Sequence, residues 1–293
     1  MRAVRRNSRR LGHALAGLVL LAGMARGAST VDQARDLYNR TEYDAALKTL
    51  RTISHPDAPT YHLIGMCYYM QGDPKKAGDF FQKAVDLRPG DSDYHLWLGR
   101  AYGRRAELSS FLTAPGYAAK ARDHFEKAVQ LNPRNMEAIS DLFEYYLDAP
   151  GFLGGGLDRA AAVASQMAEI NAAEGQWAQA RLSEKRREDR TAEEHLRRAI
   201  DLAPRQAGRV VDLAKMLAKA GRYQESEEAF RRAEAITPGS PKIKFARASV
   251  YIQTHRNLDV ARQLLKQYLD SPLTPDDPPR KEAERLLRRA SAS

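Results

Sequence analysis

The stretch APGFLGGG, residues 149–156, has the composition of a loop that could bind phosphate groups. Glycine-rich loops that open onto a helix can cradle phosphates with their backbone amides. A Walker-type loop also needs a lysine and then serine or threonine after its last glycine, where this chain has Leu157 and Asp158. The preceding residues DLFEYYLDA predict a helix instead of the required strand, and the dinucleotide fingerprint G-x-G-x-x-G is absent. We therefore interpret the stretch as an enlarged turn between two helices.

The histidines, the single cysteine and the serines form no recognisable catalytic or metal-binding pattern. The histidines stand at unrelated spacings, without an H-E-x-x-H pattern or a pair at ligand spacing. Cys67 lies between Met66 and Tyr68, and we expect a packed, inert thiol there because no motif supplies an activating base. No serine lies in a G-x-S-x-G context. We find no enzyme signature and predict neither a cofactor nor a metal.

Four carboxylates are spaced so that they share one face of a helix. They are Glu137, Asp141, Glu144 and Asp148, at intervals of four, three and four residues. One interpretation is a solvated helix face. The other is an acidic segment of a binding groove, flanked by Arg100 and Arg181.

The amino-terminal residues predict export from the cytoplasm. Residues 1–27 contain six arginines and no acid, and the apolar stretch LGHALAGLVLLAGMA precedes the small residue Gly27. This order is typical of a secretory signal, cleaved after Gly27 or, as a second option, after Ser29. An uncleaved membrane anchor is the alternative, but the apolar stretch is shorter than the ~20 residues that span a bilayer. We therefore expect a periplasmic or secreted protein.

Composition and charge exclude several function classes. Hydrophobic residues make up 43% of the chain, enough for a continuous core, and abundant alanine, leucine, arginine and glutamate favour an all-helical fold. The formal charge is +10, and loss of residues 1–27 with their six arginines lowers it to +4. We therefore predict no binding of nucleic acid. Beyond residue 29 no segment is long and apolar enough to cross a membrane.

The chain repeats itself with a period of 34 residues. Gly65 and Gly99 are 34 residues apart, as are Tyr68 and Tyr102. The same step separates three alanines farther along the chain: Ala180, Ala214 and Ala248. Such a period indicates an array of stacked structural units, each packed on its neighbours.

The order of residues within a unit also recurs. Gly65 is followed by Ala77, Phe81, Ala84 and Pro89, and Ala180 is followed at the same distances by Ala192, Leu196, Ala199 and Pro204. The small residues allow two antiparallel helices to approach closely, and the proline ends the second helix. These residues and their order resemble the tetratricopeptide repeat, a helix–turn–helix unit.

The resemblance implies an all-α solenoid of about seven helix–turn–helix repeats over residues 28–270. Two departures from the period predict insertions, near residues 103–116 and 149–157. The proline-rich stretch SPLTPDDPP breaks the array, and PRKEAERLLRRA predicts a final helix. Residues 271–293 would thus form a break and a capping helix that covers the apolar end of the array.

Members of this family often bind peptides in a concave groove lined by the first helix of each unit. The residues that the resemblance places on that groove are Tyr69, Trp97, Arg100, Glu144, Trp177, Arg181, Lys215 and Phe245. Aromatic and arginine side chains suit protein recognition, since they bury a large area with few rotamers to freeze. Packing between repeats is the alternative role of the aromatic residues. Arg100, Glu144 and Arg181 occupy equivalent positions, so we expect them to line up with alternating charge.

These observations predict a non-enzymatic protein-interaction scaffold outside the cytoplasm, with a peptide or helix of a partner protein bound in the groove. The alternative is a small-ligand-binding protein or an enzyme accessory that uses the insertions at 103–116 and 149–157.

Overall fold

The computed structural model describes residues 30–292. The arginine-rich start and the predicted cleavage site therefore lie outside the described residues. Within them, all regular structure is helical. The helices are α1 (30–39), α2 (Tyr43–Leu50), α3 (Ala58–Met70), α4 (Pro74–Leu87), α5 (Ser92–Leu108), α6 (Ala114–Leu131), α7 (Met136–Asp148), α8 (Leu157–Ile170), α9 (Ala172–Lys185), α10 (Asp189–Leu202), α11 (Ala207–Lys219), α12 (Tyr223–Ile236), α13 (Pro241–Gln253), α14 (Leu258–Leu269) and α15 (Arg280–Ala292).

Helices α1 to α14 form seven consecutive pairs, and each pair packs on the next. The final helix α15 packs against α13 and α14, with Ala283 and Ala290 fully buried on its inner face. The described residues thus confirm the predicted all-α solenoid with a carboxy-terminal capping helix. In a solenoid each unit contacts only its neighbours, so α15 covers the last apolar face.

The small residues of the repeat are required by close contact between the two helices of a pair. A β-carbon at Gly65 would lie 2.5 Å from the ring of Phe81, which is fully buried. In the next pair a β-carbon at Gly99 would lie 2.7 Å from the ring of Phe125. The phenyl ring therefore packs directly on the backbone of the facing helix, as the spacing of the repeat predicts.

Side-chain caps fix where several helices begin. The carboxylates of Asp57 and Asp73 accept hydrogen bonds from the amides of Thr60 and Lys76, each over 3.0 Å. Asn171 does the same for the first turn of α9. Such caps satisfy amides that the helix itself leaves unpaired. Helix α4 ends at Leu87, just before the proline that the repeat places there.

The first insertion lengthens both helices of the third pair. Helices α5 and α6 have 17 and 18 residues, whereas the other helices that follow α2 have 12 to 14. The turn between them, residues 109–113, is short. The pair therefore projects beyond its neighbours as a helical hairpin.

The second insertion is a glycine-rich turn between α7 and α8, as the sequence predicts. Gly151–Leu153 form one turn of 3₁₀ helix, and Gly154 and Gly156 have φ angles of +86° and +148°. A β-carbon at Gly155 would overlap the carbonyl oxygen of Ala149. Only glycine meets these requirements without strain.

The amides of the last three glycines of this turn already donate to backbone carbonyls. Gly154 N donates to Gly151 O over 2.9 Å, Gly155 N to Pro150 O over 3.2 Å and Gly156 N to Tyr146 O over 2.8 Å. A phosphate-binding loop instead directs its amides at the ligand. The turn is therefore a closed structural element and lacks the geometry of a phosphate cradle.

Cys67 is fully buried in α3. Burial raises the pKa of its thiol to about 12, so the thiol stays protonated at neutral pH. This position agrees with the expected inert, packed cysteine.

Two aspartates of the carboxy-terminal break affect the pKa values of tyrosines in the first helix pair. Burial raises the pKa of Tyr43 to about 12, and the charge of Asp277 adds to that rise. Burial also raises the pKa of Tyr38, to which Asp276 contributes. Asp277 is buried and accepts hydrogen bonds from the amide and hydroxyl of Thr274, both over 2.8 Å.

Candidate binding cleft

A cleft of about 740 Å³ opens on the face formed by the first helices of successive pairs. Helices α7, α9, α11 and α13 supply most of its lining, and α10 and α12 contribute one residue each. Apolar side chains in the lining are Trp177, Ala180, Leu196, Met216, Ala218, Tyr223 and Val250. Charged side chains in the lining are Glu144, Arg181, Glu184, Asp212, Lys215 and Lys219.

The repeat explains why these side chains meet. Ala180 and Ala214 are the small ladder residues of α9 and α11, and both are buried. Arg181 and Lys215 each follow a ladder residue directly, so they occupy the same position in neighbouring helices. Residues three and four apart share a helix face, which also brings Glu184 to the cleft.

Arg181 is the centre of a charged group at the cleft. Its Nη2 lies 3.1 Å from Oε2 of Glu144 and its Nε lies 3.3 Å from Oε1 of the same carboxylate. Its Nη1 lies 2.8 Å from Oε2 of Glu184. The guanidinium therefore holds two carboxylates in defined positions, and the Glu144 contact links α7 to α9.

Trp177 is held by the packing of neighbouring helices. Its ring lies 5.9 Å from the ring of Phe143 in α7, and the guanidinium of Arg209 lies 4.2 Å from its centroid. Arg209 forms an ion pair with the buried Glu174, which also accepts a hydrogen bond from Gln206 over 3.0 Å. The indole is thus fixed before any partner binds, which lowers the entropic cost of recognition.

Two lysines at the cleft are weakly engaged. Lys215 Nζ lies 3.5 Å from Oδ1 of Asp212, at the outer limit of a hydrogen bond. Lys219 forms no ion pair within residues 30–292 and is exposed. Both ammonium groups remain available to a bound molecule.

The carboxylates of the acidic stripe of α7 pair with cations of the neighbouring helices. Arg100 Nε lies 2.6 Å from Asp141 Oδ2, and its Nη2 lies 3.1 Å from Glu137 Oε2. Lys185 Nζ lies 2.8 Å from Asp148 Oδ1, and Glu144 is bound by Arg181 as described. Cations from α5 and α9 thus neutralise every carboxylate of the stripe. Arg100 pairs with Asp141 and Glu137, whereas Glu144 pairs with Arg181.

Three further predicted groove residues form a separate cluster. The rings of Trp97 and Tyr69 meet edge-on, with their centroids 5.5 Å apart. The Trp97 ring centroid also lies 5.8 Å from that of Phe81 and 5.0 Å from the guanidinium carbon of Arg100. Tyr69, Trp97 and Arg100 are all half-buried, and none lines the cleft. Their contacts are those of packing between the second and third pairs.

Phe245 also stands outside the cleft. It is half-buried, and its ring centroid lies 5.3 Å from that of Tyr268 in α14. Of the eight predicted groove residues, Glu144, Trp177, Arg181 and Lys215 therefore meet at one cleft, and the other four do not.

Sequence reasoning missed two contacts between helices. Glu174 and Arg209 stand 35 residues apart, which is one residue more than the period. This spacing places them at nearly equivalent positions in successive units, so the period could have indicated their contact. His95 and His124 stand 29 residues apart and give no such signal, yet their Nδ1 atoms lie 3.0 Å apart. Within residues 30–292, no three histidine, cysteine or acidic side chains are grouped as a metal site would need.

Comparison with known families decides the nature of the array. A family model described as tetratricopeptide repeat matches residues 58–91, and a second model with that description matches residues 178–241 and 211–278. The chain is a tetratricopeptide repeat protein. Proteins with these repeats are generally non-catalytic scaffolds, so the family indicates a role in protein interactions.

Solved structures share the fold of this tetratricopeptide repeat protein. A thermophilic repeat protein of Thermus thermophilus aligns with a TM-score of 0.54 at 20% identity, over 65% of this chain and 98% of that chain. A tetratricopeptide repeat protein of Parabacteroides merdae aligns with a TM-score of 0.59 at 14% identity, over 90% of this chain and 98% of that chain. At these identities the likeness concerns the fold alone. Comparison with curated proteins gives no match.

Proposed function

We propose that this tetratricopeptide repeat protein binds a peptide or helix of a partner protein in the cleft between α7 and α13, without bond chemistry. The observation that carries the proposal is the cleft itself, with its fixed Trp177 and its rim of charges. A volume of about 740 Å³ suits a short run of side chains.

The chemistry of the lining supports a protein segment as the occupant. Apolar side chains such as Trp177, Met216 and Val250 can cover the apolar face of a peptide or helix. The charges around them carry both signs, which favours one partner orientation over others. Lys215 and Lys219 can pair with a partner without first breaking a strong ion pair.

Action outside the cytoplasm is part of the proposal. It rests on the arginine-rich start and on the small residues near Gly27. Determining the first residue of the native protein tests it: a chain beginning at Ala28 or shortly after supports export, and an intact Met1 in the cytoplasm contradicts it.

The alternative, a ligand site formed by the insertions, has less support. The amides of Gly154, Gly155 and Gly156 already donate to backbone carbonyls, and the first insertion consists of helix extensions. Neither feature presents converging polar groups of the kind that fix a small ligand.

Site-specific photo-crosslinking tests the binding proposal. A photoreactive residue at Met216 in the cleft should link to a partner segment in the native envelope fraction. The same residue at the exposed Val260 of α14 is the matched control and should not link to it. The linked segment, made as a synthetic peptide, should then change the fluorescence of Trp177 in a variant in which Phe replaces Trp97. A peptide that links equally at both positions, or leaves the fluorescence unchanged, would contradict the proposal.

A further inference from the structure

The tip of the α5–α6 hairpin exposes an unusual amount of apolar surface. Phe111 is 83% exposed, Leu112 76% and Leu108 63%, although all three are large hydrophobic side chains. Within residues 30–292, Phe152 at 82% is the only other large hydrophobic side chain that is more than 60% exposed. Side chains so exposed contribute little to the free energy of folding. Their apolar character therefore indicates contact with another molecule or surface.

The tip also lacks charge. Residues 108–119 contain no aspartate, glutamate, lysine or arginine, although these residues make up 29% of the chain. A protruding turn in water normally carries polar or charged side chains. An uncharged tip with large apolar side chains is instead suited to an apolar environment.

Tyrosines and unpaired cations lie directly behind the tip. The stacked rings of Tyr102 and Tyr117 are 6.3 Å apart. Arg105 donates from Nη2 to the Tyr117 hydroxyl over 2.7 Å, and Lys120 Nζ lies 5.3 Å from the Tyr102 centroid. Within residues 30–292, neither Arg105 nor Lys120 forms an ion pair. Both cations are thus free to meet an external anion.

The order along the hairpin matches the layers of a membrane surface. Counting from the start of α6 at Ala114, Tyr117 lies about 4–5 Å and Lys120 about 9 Å farther from the tip, at 1.5 Å per residue. Apolar side chains favour the acyl region, tyrosines the interface, and lysine or arginine the anionic headgroups.

We propose that the hairpin tip, residues 108–112, inserts into the surface of an anionic membrane and holds the scaffold there as a peripheral protein. Within residues 30–292 no helix is long and apolar enough to cross a membrane. Attachment therefore relies on shallow insertion of the apolar tip together with headgroup contacts of Arg105 and Lys120.

The neighbouring glycine turn adds to the same edge. Both turns join the first helix of a pair to the second, so they lie on one edge of the array. Arg122 in α6 donates to the carbonyl of Leu153 over 3.2 Å and fixes the glycine turn against the hairpin. Phe152, in the same turn, is also exposed.

A second copy of the chain fits the tip less well. The commonest dimers bring the same patch of two copies together. Such a contact would place Arg105 and Lys120 of both copies side by side, where their charges repel. An anionic lipid surface instead attracts them.

A fluorescent label at the tip tests the proposal. The full chain with Ser110→Cys is labelled with an environment-sensitive dye, since the native Cys67 is fully buried. Vesicles containing phosphatidylglycerol should shift the emission of the dye to the blue, and vesicles of phosphatidylcholine alone should not. The same dye at Arg205→Cys, in an exposed turn on the opposite edge, is the matched control and should not respond. Because the dye reports its own surroundings, binding through residues 1–27 does not mimic insertion of the tip.

Two variants separate the contributions. Phe111→Ser with Leu112→Ser should abolish the blue shift, and Lys120→Glu should raise the lipid concentration at half-effect by roughly threefold or more. The substituted side chains are all exposed, so the circular dichroism spectra of the variants should match that of the wild type. No shift at residue 110 with anionic vesicles would overturn the proposal. So would a shift that needs no vesicles and grows with protein concentration, because it would assign the tip to contact between two copies.

Discussion

Nδ1 of His95 and Nδ1 of His124 lie 3.0 Å apart, so the two imidazoles share a single proton between them. Nε2 of His95 lies 3.1 Å from the carbonyl of Pro89 and must donate to it. Nδ1 of a neutral His95 is therefore an acceptor, and Nδ1–H of His124 is the donor. The pair joins α5 to α6 with both rings neutral.

The first prediction follows for the titration of His124. Burial and, second, the neighbouring His95 lower its pKa to about 4, with Lys120 acting in the same sense and Asp123 opposing. Nitrogen-detected NMR at pH 6 should show a neutral ring protonated at Nδ1, whereas an unperturbed histidine would be mostly protonated below pH 6.5. A titration midpoint near 6.5 would contradict the hydrogen-bonded pair.

The second prediction concerns His62 and the pH dependence of stability. Burial among aromatic rings, and then Arg35, lower its pKa to about 4, and its Nε2 has no hydrogen-bond partner. Between pH 6.5 and 4 the unfolded chain takes up a proton that the folded chain refuses, so stability falls as pH falls. For His62 alone this loss amounts to at most about 3 kcal/mol across that range.

The variant His62→Phe tests this prediction. The ring of His62 lies 4.8 Å from Tyr94 and 5.5 Å from Phe81, an environment that suits phenylalanine. Urea unfolding at several pH values should show a smaller acid-dependent loss in the variant, with stability at pH 7 retained. His55→Gln, at an exposed histidine, is the control. An unchanged pH dependence in His62→Phe would refute the assignment.

The third prediction concerns the glycine ladder. Gly99→Ala should cost about 1–3 kcal/mol, because its β-carbon would lie 2.7 Å from the ring of Phe125. Gly103→Ala, one turn farther along α5, meets only an ordinary contact at 4.0 Å and should stabilise the helix by roughly 0.5–1 kcal/mol. Thermal or urea unfolding of the two variants measures both signs. Equal effects would show that helix propensity, rather than ring contact, governs the position.

The fourth prediction separates the glycines of the α7–α8 turn. Gly155→Ala should destabilise the protein, because its β-carbon would overlap the carbonyl of Ala149, whereas Gly151→Ala has open space and should be tolerated. Neither ATP nor GTP should bind the wild type, since the turn amides donate within the turn. Saturable nucleotide binding that is lost in Gly151→Ala would restore the phosphate-loop interpretation.

The sequence predicted those features that the repeat period dictates. Gly65 facing Phe81 and Ala180 beside the cleft follow from spacing alone, because equal positions in stacked units meet equal neighbours. The period also placed Trp177 and Arg181 at one site.

The 34-residue period does not predict contacts that depend on the angle between helices. Phe245 stands at the groove position of its unit, yet it packs on Tyr268 of the second helix in its own pair. Similarly, the departure from the period near residues 103–116 predicted an insertion without revealing that α5 and α6 lengthen and expose Phe111. Such features arise from tertiary packing, which a linear pattern does not encode.

The last prediction separates recognition from folding at the cleft. Arg181 holds Glu144 and Glu184, and Trp177 packs on Phe143, so their substitution changes both partner binding and packing. Lys219 lines the cleft without an ion pair in the described chain, so Lys219→Glu should leave the free energy of unfolding within about 0.5 kcal/mol. A partner segment bound in the cleft should nevertheless change its affinity several-fold, with an effect that shrinks at high salt. Calorimetric titration with the crosslinked peptide measures this change, and Lys242→Glu, exposed outside the cleft, is the matched control. If both variants bind the peptide as the wild type does at low salt, the charged rim takes no part in recognition.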